Sequence, residues 1–534
     1  MKNLVQDQWL PFRLKDGTEQ VLPMSAICDP DVVDFALPRA DFQGAAYQFA
    51  IGLLQTVFAP KDKYQWHEYY SNAPSTDSLQ TAFNTVAHAF NVVGDGPLFM
   101  QDWDSLDDAA PTTVSGLLIE APGANGIKHN TDHFVKRGIG EVMSLEMACI
   151  ALFTLQINAP SGGSGHRVGL RGGGPLTTLV LPQEMETTLW QKLWLNVINQ
   201  DEWRESRVEK PELHSAQVFP WLEPTRISSK KGSEIYENDV HPLHMYWAMP
   251  RRIRLEVQGK AECRLTGKVA EATVACYRTL NYGANYSGDW SHPLTPYKWD
   301  PKKPNSERLS IKGQQGGLTY KIWDLLTLAS EKNGQSCAKV VSHFYSIVND
   351  FTKLQREMPR IWVFGYDMDN MKARGWYSES LPLFSLPTEQ QDDLVAEVKC
   401  LQDLASNALW HCRSQIKAAW FEKPKEAKGD MSFIDLAFWH RTEAAFFIAV
   451  RQLSEQLACD HYQLLPQQAE QWLKSISTVA IDVFDEYALA ELGSERSMAK
   501  RIKARQSLTG WLYAGKDIKT FRKEHNIELM QEKG

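Results

Sequence analysis

No stretch of this chain runs through the roughly 18 uninterrupted apolar residues that a membrane-spanning helix requires. The first residues, MKNLVQDQWLPF, also lack the apolar segment and cleavage site of an export signal. Cysteine is sparse: eight residues in 534, scattered and without a CxxC pair. That spacing supports neither a disulfide framework nor a thiolate zinc site. These absences make the cytoplasm the expected location. No glycine-lysine pair is followed by serine or threonine, which excludes a phosphate-binding P-loop. An excess of positive charge is missing too. The net charge is −8, so contact with nucleic acid must come from local basic clusters.

Core-forming material is plentiful, with 43% hydrophobic residues, 18 Trp and 22 Phe, and this excludes wholesale disorder. The chain is longer than the roughly 250–300 residues at which single cores stop growing, so two or three domains are expected. Three segments concentrate positive charge. Residues 251–278 carry seven Lys or Arg against three Glu, and residues 298–321 carry six against two acids. Residues 496–523 carry nine against Asp517 alone, the strongest local signal. A solvated helix face and a phosphate-holding edge both fit that last segment.

Residues 8–22 read as a β-hairpin turned at Lys15-Asp16-Gly17. Apolar spacing predicts helices over Asp41–Phe58, Leu145–Leu155 and Thr187–Ile198, with loops between 90 and 140. Alternation at Ile253, Leu255 and Val257, and the run Ile361–Val363, predict strands. After Pro387 prolines nearly vanish, and amphipathic segments cover roughly 388–421, 432–459, 466–492 and 495–513. Their breaks, at Lys423-Pro424-Lys425, Leu465-Pro466 and Gly493-Ser494, suit an antiparallel four-helix bundle. The fold expected is α+β: a mixed α/β N-terminal domain with irregular loops over 1–386, then the bundle over 387–534.

Three constellations could carry function. Ser161 to Gly174 holds seven glycines with Arg167 and Arg171 and no acid. Backbone without side chains can approach a groove floor and donate its amides, although a plain surface loop has the same composition. Phe364 to Trp376, FGYDMDNMKARGW, follows an apolar strand and sets Asn370, Met371 and Lys372 at a turn. An apolar tip between an amide and a cation suits a duplex wedge, and an ordinary polar turn is the competing reading. His129 and His133, four apart beside Asp132, could contribute to a metal site. That leaves a metal-dependent nuclease or hydrolase as the alternative function, although no third ligand can be named.

Short pieces along the chain, in their order, resemble a known family. They are Asn3-Leu4 through Trp9-Leu10-Pro11, Pro97–Gln101, Gly169–Thr178, Arg251–Leu255, Trp290–Pro296, the 364–376 segment and Phe438–Glu443. The chain resembles the large subunits (CasA) of the type I-E CRISPR Cascade complex along nearly its whole length. The resemblance implies a subunit that is not itself an enzyme and needs no cofactor or metal. It would recognise the short flanking motif (PAM) of double-stranded DNA, open the duplex to start the R-loop and help recruit a separate helicase–nuclease. The implied partners are the guide RNA and the guide-handle-binding, small and backbone subunits. The family's glycine loop falls on Gly162, Gly163, Ser164 and Gly165, with Ser164 a departure. Its wedge falls on Asp369, Asn370, Met371 and Lys372, where one family pattern has an Asn-Gln pair. Its basic loop falls between Tyr277 and Tyr286, with Arg278 as first cation and Asn281 second. His129, Asn130 and His133 align with a loop contacting the guide handle or a neighbouring subunit. Lys500, Arg501, Lys503 and Arg505 would form a DNA-facing edge. Some relatives carry a four-cysteine zinc site before the basic loop; here only Cys263 and Cys276 stand in that region.

Overall fold

Alternating apolar residues and a flexible turn make the first element. β1 (Leu10–Leu14) pairs antiparallel with β2 (Glu19–Leu22), and Gly17 turns between them at φ +83°. β3 (Val32–Phe35) lies on the other side of β1. The computed structural model describes residues 1–121, 138–163, 165–184, 187–203, 211–303, 306–348, 350–351, 359–369, 372–384, 390–457, 462–490 and 498–528. It divides into two units, Met1–Gly313 with Cys337–Ser380, and Gln314–Ser336 with Leu381–Gly534.

The core of the first unit is aromatic. α1 (Ala40–Val57) carries Phe49, which meets Trp9, Phe90, Phe99, Phe153 and Trp247 edge to face at 5.5–5.8 Å. Such pairing adds about 0.5–1.5 kcal/mol per pair beyond burial. α2 (Leu145–Asn158) packs on α1 and is capped by the Ser144 hydroxyl, which accepts from Met147 N. α3 (Leu189–Trp194) buries Trp190 and Trp194 stacked 4.9 Å apart. The high Trp content is thus largely core: Trp66, Trp190, Trp194, Trp221 and Trp247 are all fully buried.

Two further sheets position the candidate site. β5 (Arg252–Gln258) and β6 (Thr273–Leu280) pair antiparallel, with Arg278 opposite Arg254. β4 (Thr177–Leu181) pairs antiparallel with β7 (Arg360–Asp369), which pairs in turn with β8 (Lys372–Pro382).

The second unit is helical. Its helices are α4 (Gln391–Trp420), α5 (Ser432–Leu457), α6 (Pro466–Phe484), α7 (Met498–Ala514) and a short α8 (Lys516–Glu524), which periodicity did not anticipate. α4 packs against α5, α6 and α7, and α5 against α6. Pro466 sits at the first turn of α6, where its missing N–H costs nothing. Residues 314–336 cluster with these helices rather than with the rest of 1–386. The reason is Tyr320. Its ring stacks on Phe446 at 4.2 Å, its hydroxyl meets Thr442 Oγ1 at 2.8 Å, and its carbonyl accepts from Gln402 Nε2. His525, just after α8, joins Glu397 of α4 at 2.7 Å, both buried.

Candidate nucleic-acid interface

After α2 the chain meets Pro160 and enters the glycine loop, where Gly163 and Gly165 adopt φ +96° and +78°. L-residues rarely take those angles, so glycine is favoured at both positions. Gly162 and Gly163 are exposed, and among the described residues nothing beyond its chain neighbours lies within 4 Å of a Cβ built on Gly163. Gly165 is different. A Cβ there would come 2.7 Å from Asn281 Cβ, and its carbonyl accepts from Tyr282 N at 2.7 Å. Two elements singled out separately, the glycine loop and the 277–286 segment, are therefore joined backbone to backbone.

A third segment locks the junction. Arg167 donates to Ser228 Oγ at 2.7 Å and to Ser228 O at 2.6 Å, and its guanidinium lies 5.9 Å from the centre of the Tyr282 ring. Ser228 N donates to Tyr282 O, and Ser228 Oγ to Gly283 O. Gly283 lies so close under the Pro250 carbonyl that no side chain fits. Tyr282 is held at φ +65°, a conformation that bulky residues adopt only when their surroundings dictate it, and it remains 39% exposed. Below the loop, Arg251 is 8% exposed and donates to Pro160 O; burial pushes its pKa down to about 10. Burial, with Arg251 beside it, lowers the His166 pKa, so this imidazole is neutral at pH 7. The arrangement presents bare backbone at 162–163, a neutral His and an exposed Tyr, with cations held beneath. Sequence reasoning missed Tyr282, Ser228 and Gly283. Only the glycine after Tyr282 hinted at a turn.

The β7–β8 hairpin stands on the same unit. Its strands stop at Asp369 and resume at Lys372, so the connection is two residues. Asp369 is exposed; Asn370, Met371 and the side chain of Lys372 lie outside the described residues. Near the tip, buried Asp367 accepts from Arg374 Nη2 at 2.7 Å, Arg374 Nε at 3.0 Å and Tyr377 OH at 3.0 Å. Further down, Tyr366 OH donates to Asp41 Oδ2 at 2.6 Å, and Asp41 is paired with Arg39. The hairpin is thus anchored by charge-assisted bonds, which are stronger than neutral ones. Glycines connect it to the loop. Gly173 packs on Pro160 and Ser161, while Gly174 packs on Met368 and the Tyr366 carbonyl. Arg171 is buried, bonded to Thr177, Thr295, Gln48 and Ile157, and serves the fold.

Most counted cations are already engaged. Arg278 Nε donates to Glu256 at 2.6 Å and Nη1 to the carbonyls of Asp107 and Ala109. Arg252 pairs with Asp102 and Asp104, Lys260 with Glu271, and Arg264 with Glu262. In the second unit Lys500 pairs with Glu422, Arg505 is bidentate to Asp485 at 2.7 and 2.8 Å, and Arg501 is only 3% exposed. Lys503 is exposed. Ser164, His129, Asn130 and His133 lie outside the described residues. Among those described, no three His, Cys, Asp or Glu side chains gather as a metal site, and no helix is long and apolar enough to cross a membrane.

By fold this is a mixed α+β protein with a separate helical unit. It belongs to the family of CRISPR-associated protein Cse1, whose model matches residues 3–483. Solved structures agree in fold. CasA (Cse1) of Thermus thermophilus is 16% identical with a TM-score of 0.67, covering 96% of this chain and 98% of that one. Cse1 of Thermobifida fusca is 15% identical with a TM-score of 0.66, covering 96% and 98%. A chain of a CRISPR RNA-guided surveillance complex is 12% identical with a TM-score of 0.68, covering 96% and 99%.

Proposed function

We propose that this chain is the large subunit of an RNA-guided CRISPR surveillance complex of the Cascade type. In this reading it recognises a short flanking motif in double-stranded DNA from the groove, through the glycine loop and the 281–282 backbone. The hairpin tip at Asn370, Met371 and Lys372 intrudes beside the motif and starts strand separation, after which a separate helicase–nuclease is recruited. The chain itself breaks no bond. Family membership supports the reading, as does the likeness in fold to a surveillance-complex chain. The observation that carries it is the bond from Tyr282 N to Gly165 O, which unites the loop and the neighbouring segment into one surface. A bare backbone surface suits the minor groove, which is narrow and carries a degenerate code tolerant of several motifs.

In a reconstituted complex, Asn370→Ala with Lys372→Ala should slow motif-dependent R-loop formation about tenfold or more, since unstacking a base step costs a few kcal/mol. The chain should still assemble. Strand opening at the normal rate would end the wedge assignment. The metal-dependent nuclease reading has its own test: stoichiometric zinc or manganese in the purified chain, lost together with activity on His133→Ala, would favour it.

A further inference from the structure

We infer that the first unit carries a second binding site, a cleft for an alkylammonium or guanidinium group against the base of the β7–β8 hairpin. A cavity of about 360 Å³ opens among β3, α1, α3, the end of β4 and the two hairpin strands. That volume falls among those of small-ligand sites. One wall is aromatic. Tyr47 and Trp362 stand edge to face with centroids 5.0 Å apart, and the Trp362 indole N–H is spent on Ser378 Oγ at 2.8 Å.

The floor is Asp34, whose two oxygens are used unequally. Oδ1 accepts from Gln43 Nε2, Tyr47 OH and Phe35 N, each at 2.8 Å. Oδ2 has the Lys192 ammonium at 3.7 Å, beyond hydrogen-bond reach. Lys192 is itself buried and donates to Val33 O at 2.9 Å, which holds it back. One carboxylate oxygen at the floor thus keeps its lone pairs open to a donor. Two more carboxylates, Glu184 and Glu379, line the cavity, and among the described residues neither forms an ion pair. Arg360, on the Trp362 strand, is turned to Ser380, donating to its Oγ at 2.7 Å and its carbonyl at 2.5 Å.

Three carboxylates and two aromatic rings face the cavity, while Lys192 is held by Val33 O, Arg360 is turned to Ser380 and Arg13 lies opposite Asp34 in the β1–β3 pairing. The open acceptors and ring faces favour an organic cation over phosphate. The carboxylates do not converge as a metal site would: no such grouping exists among the described residues. The occupant is therefore an extended organic cation whose donors reach Asp34 Oδ2 and the two glutamates while its stem lies against the rings. It would touch both hairpin strands, through Trp362 and through Ser378 and Glu379. A free polyamine and the Lys or Arg side chain of a partner protein share this chemistry. The inference does not depend on the duplex-opening reading.

Calorimetric titration of the full chain at low salt, with spermidine and separately with N-acetyl-L-arginine amide, tests it. Saturable binding is expected for at least one probe, weakened about tenfold by Glu184→Gln with Glu379→Gln. Binding should be unchanged by Glu422→Gln, a surface carboxylate 94% exposed in the other unit. Neither cavity glutamate is buried, so an unaltered unfolding midpoint should accompany the loss. Spermidine binding alone assigns the cleft to free polyamines; binding of the arginine amide assigns it to a partner's side chain. No saturable binding of either probe, or equal weakening by the Glu422 control, would overturn the proposal.

Discussion

The glycine loop of the first unit and the cationic helix α7 of the second are the two segments whose composition stands out most, and they end very differently. The loop has almost no chemistry of its own, yet two segments distant in sequence close around it: Ser228 and 281–283. The helix is rich in charge, yet Lys500, Arg501 and Arg505 are bonded internally or buried, leaving Lys503 exposed. Charge along a sequence counts groups before the fold has spent them on partners. A bare backbone cannot be spent in that way. Its value depends on whether tertiary contacts hold it open, as they do at Gly163.

Substitutions along the loop should separate packing from function. Gly283→Ala is expected to have the largest effect, destabilising the first unit by about 3 kcal/mol, because the Pro250 carbonyl it would strike is backbone and cannot swing away. Gly165→Ala should cost about 2 kcal/mol, combining its positive φ with the approach to Asn281. Gly163→Ala should cost only about 1 kcal/mol, from φ alone. Chemical denaturation of the three variants measures the series; equal losses would mean that the closure around Gly165 and Gly283 contributes nothing.

In the second unit the expected changes are smaller. Both ring nitrogens of His525 face acceptors, Phe521 O and Glu397 Oε1, so only the imidazolium satisfies both. Burial opposes that charge, but the bond to Glu397, that carboxylate's charge and the Phe521 carbonyl together raise the His525 pKa. The pair therefore adds stability in full below the ordinary histidine range and loses it as pH rises through the raised value. Thermal unfolding of the second unit should show that decline, and His525→Gln should abolish it. Arg505→Gln should cost no more than about 1 kcal/mol, since its pair with Asp485 is partly exposed. Lys503→Gln should leave stability unchanged while lowering the salt slope of DNA binding by about one unit. If Arg505 and Lys503 contribute equally to the salt slope, the contrast between spent and free charge fails.

Much of the fold was legible because it rests on local pattern. The Asp16-Gly17 turn, the helix over residues 40–57 with its end before Pro60, and the break at Pro466 each follow from chemistry within a few residues. Tyr320 shows where that stops. Nothing around it says that its ring will stack on Phe446, more than a hundred residues away, and draw 314–336 into the helical unit. The site was legible in the same partial way. Glycine content marked the loop, and a polar turn after an apolar strand marked the hairpin. The partners of Arg278 and the φ of Tyr282 are set by residues remote in sequence.

The central claim, that exposed backbone at the loop acts on a double helix, is tested most directly at Gly163. Asparagine tolerates positive φ, and among the described residues no atom beyond its chain neighbours lies within 4 Å of the new Cβ, so Gly163→Asn adds bulk at little cost to the fold. Strand opening beside the flanking motif, followed by 2-aminopurine fluorescence in the assembled complex, should slow about tenfold or more. The unfolding midpoint and assembly should be unaltered. Opening at the wild-type rate would contradict the account.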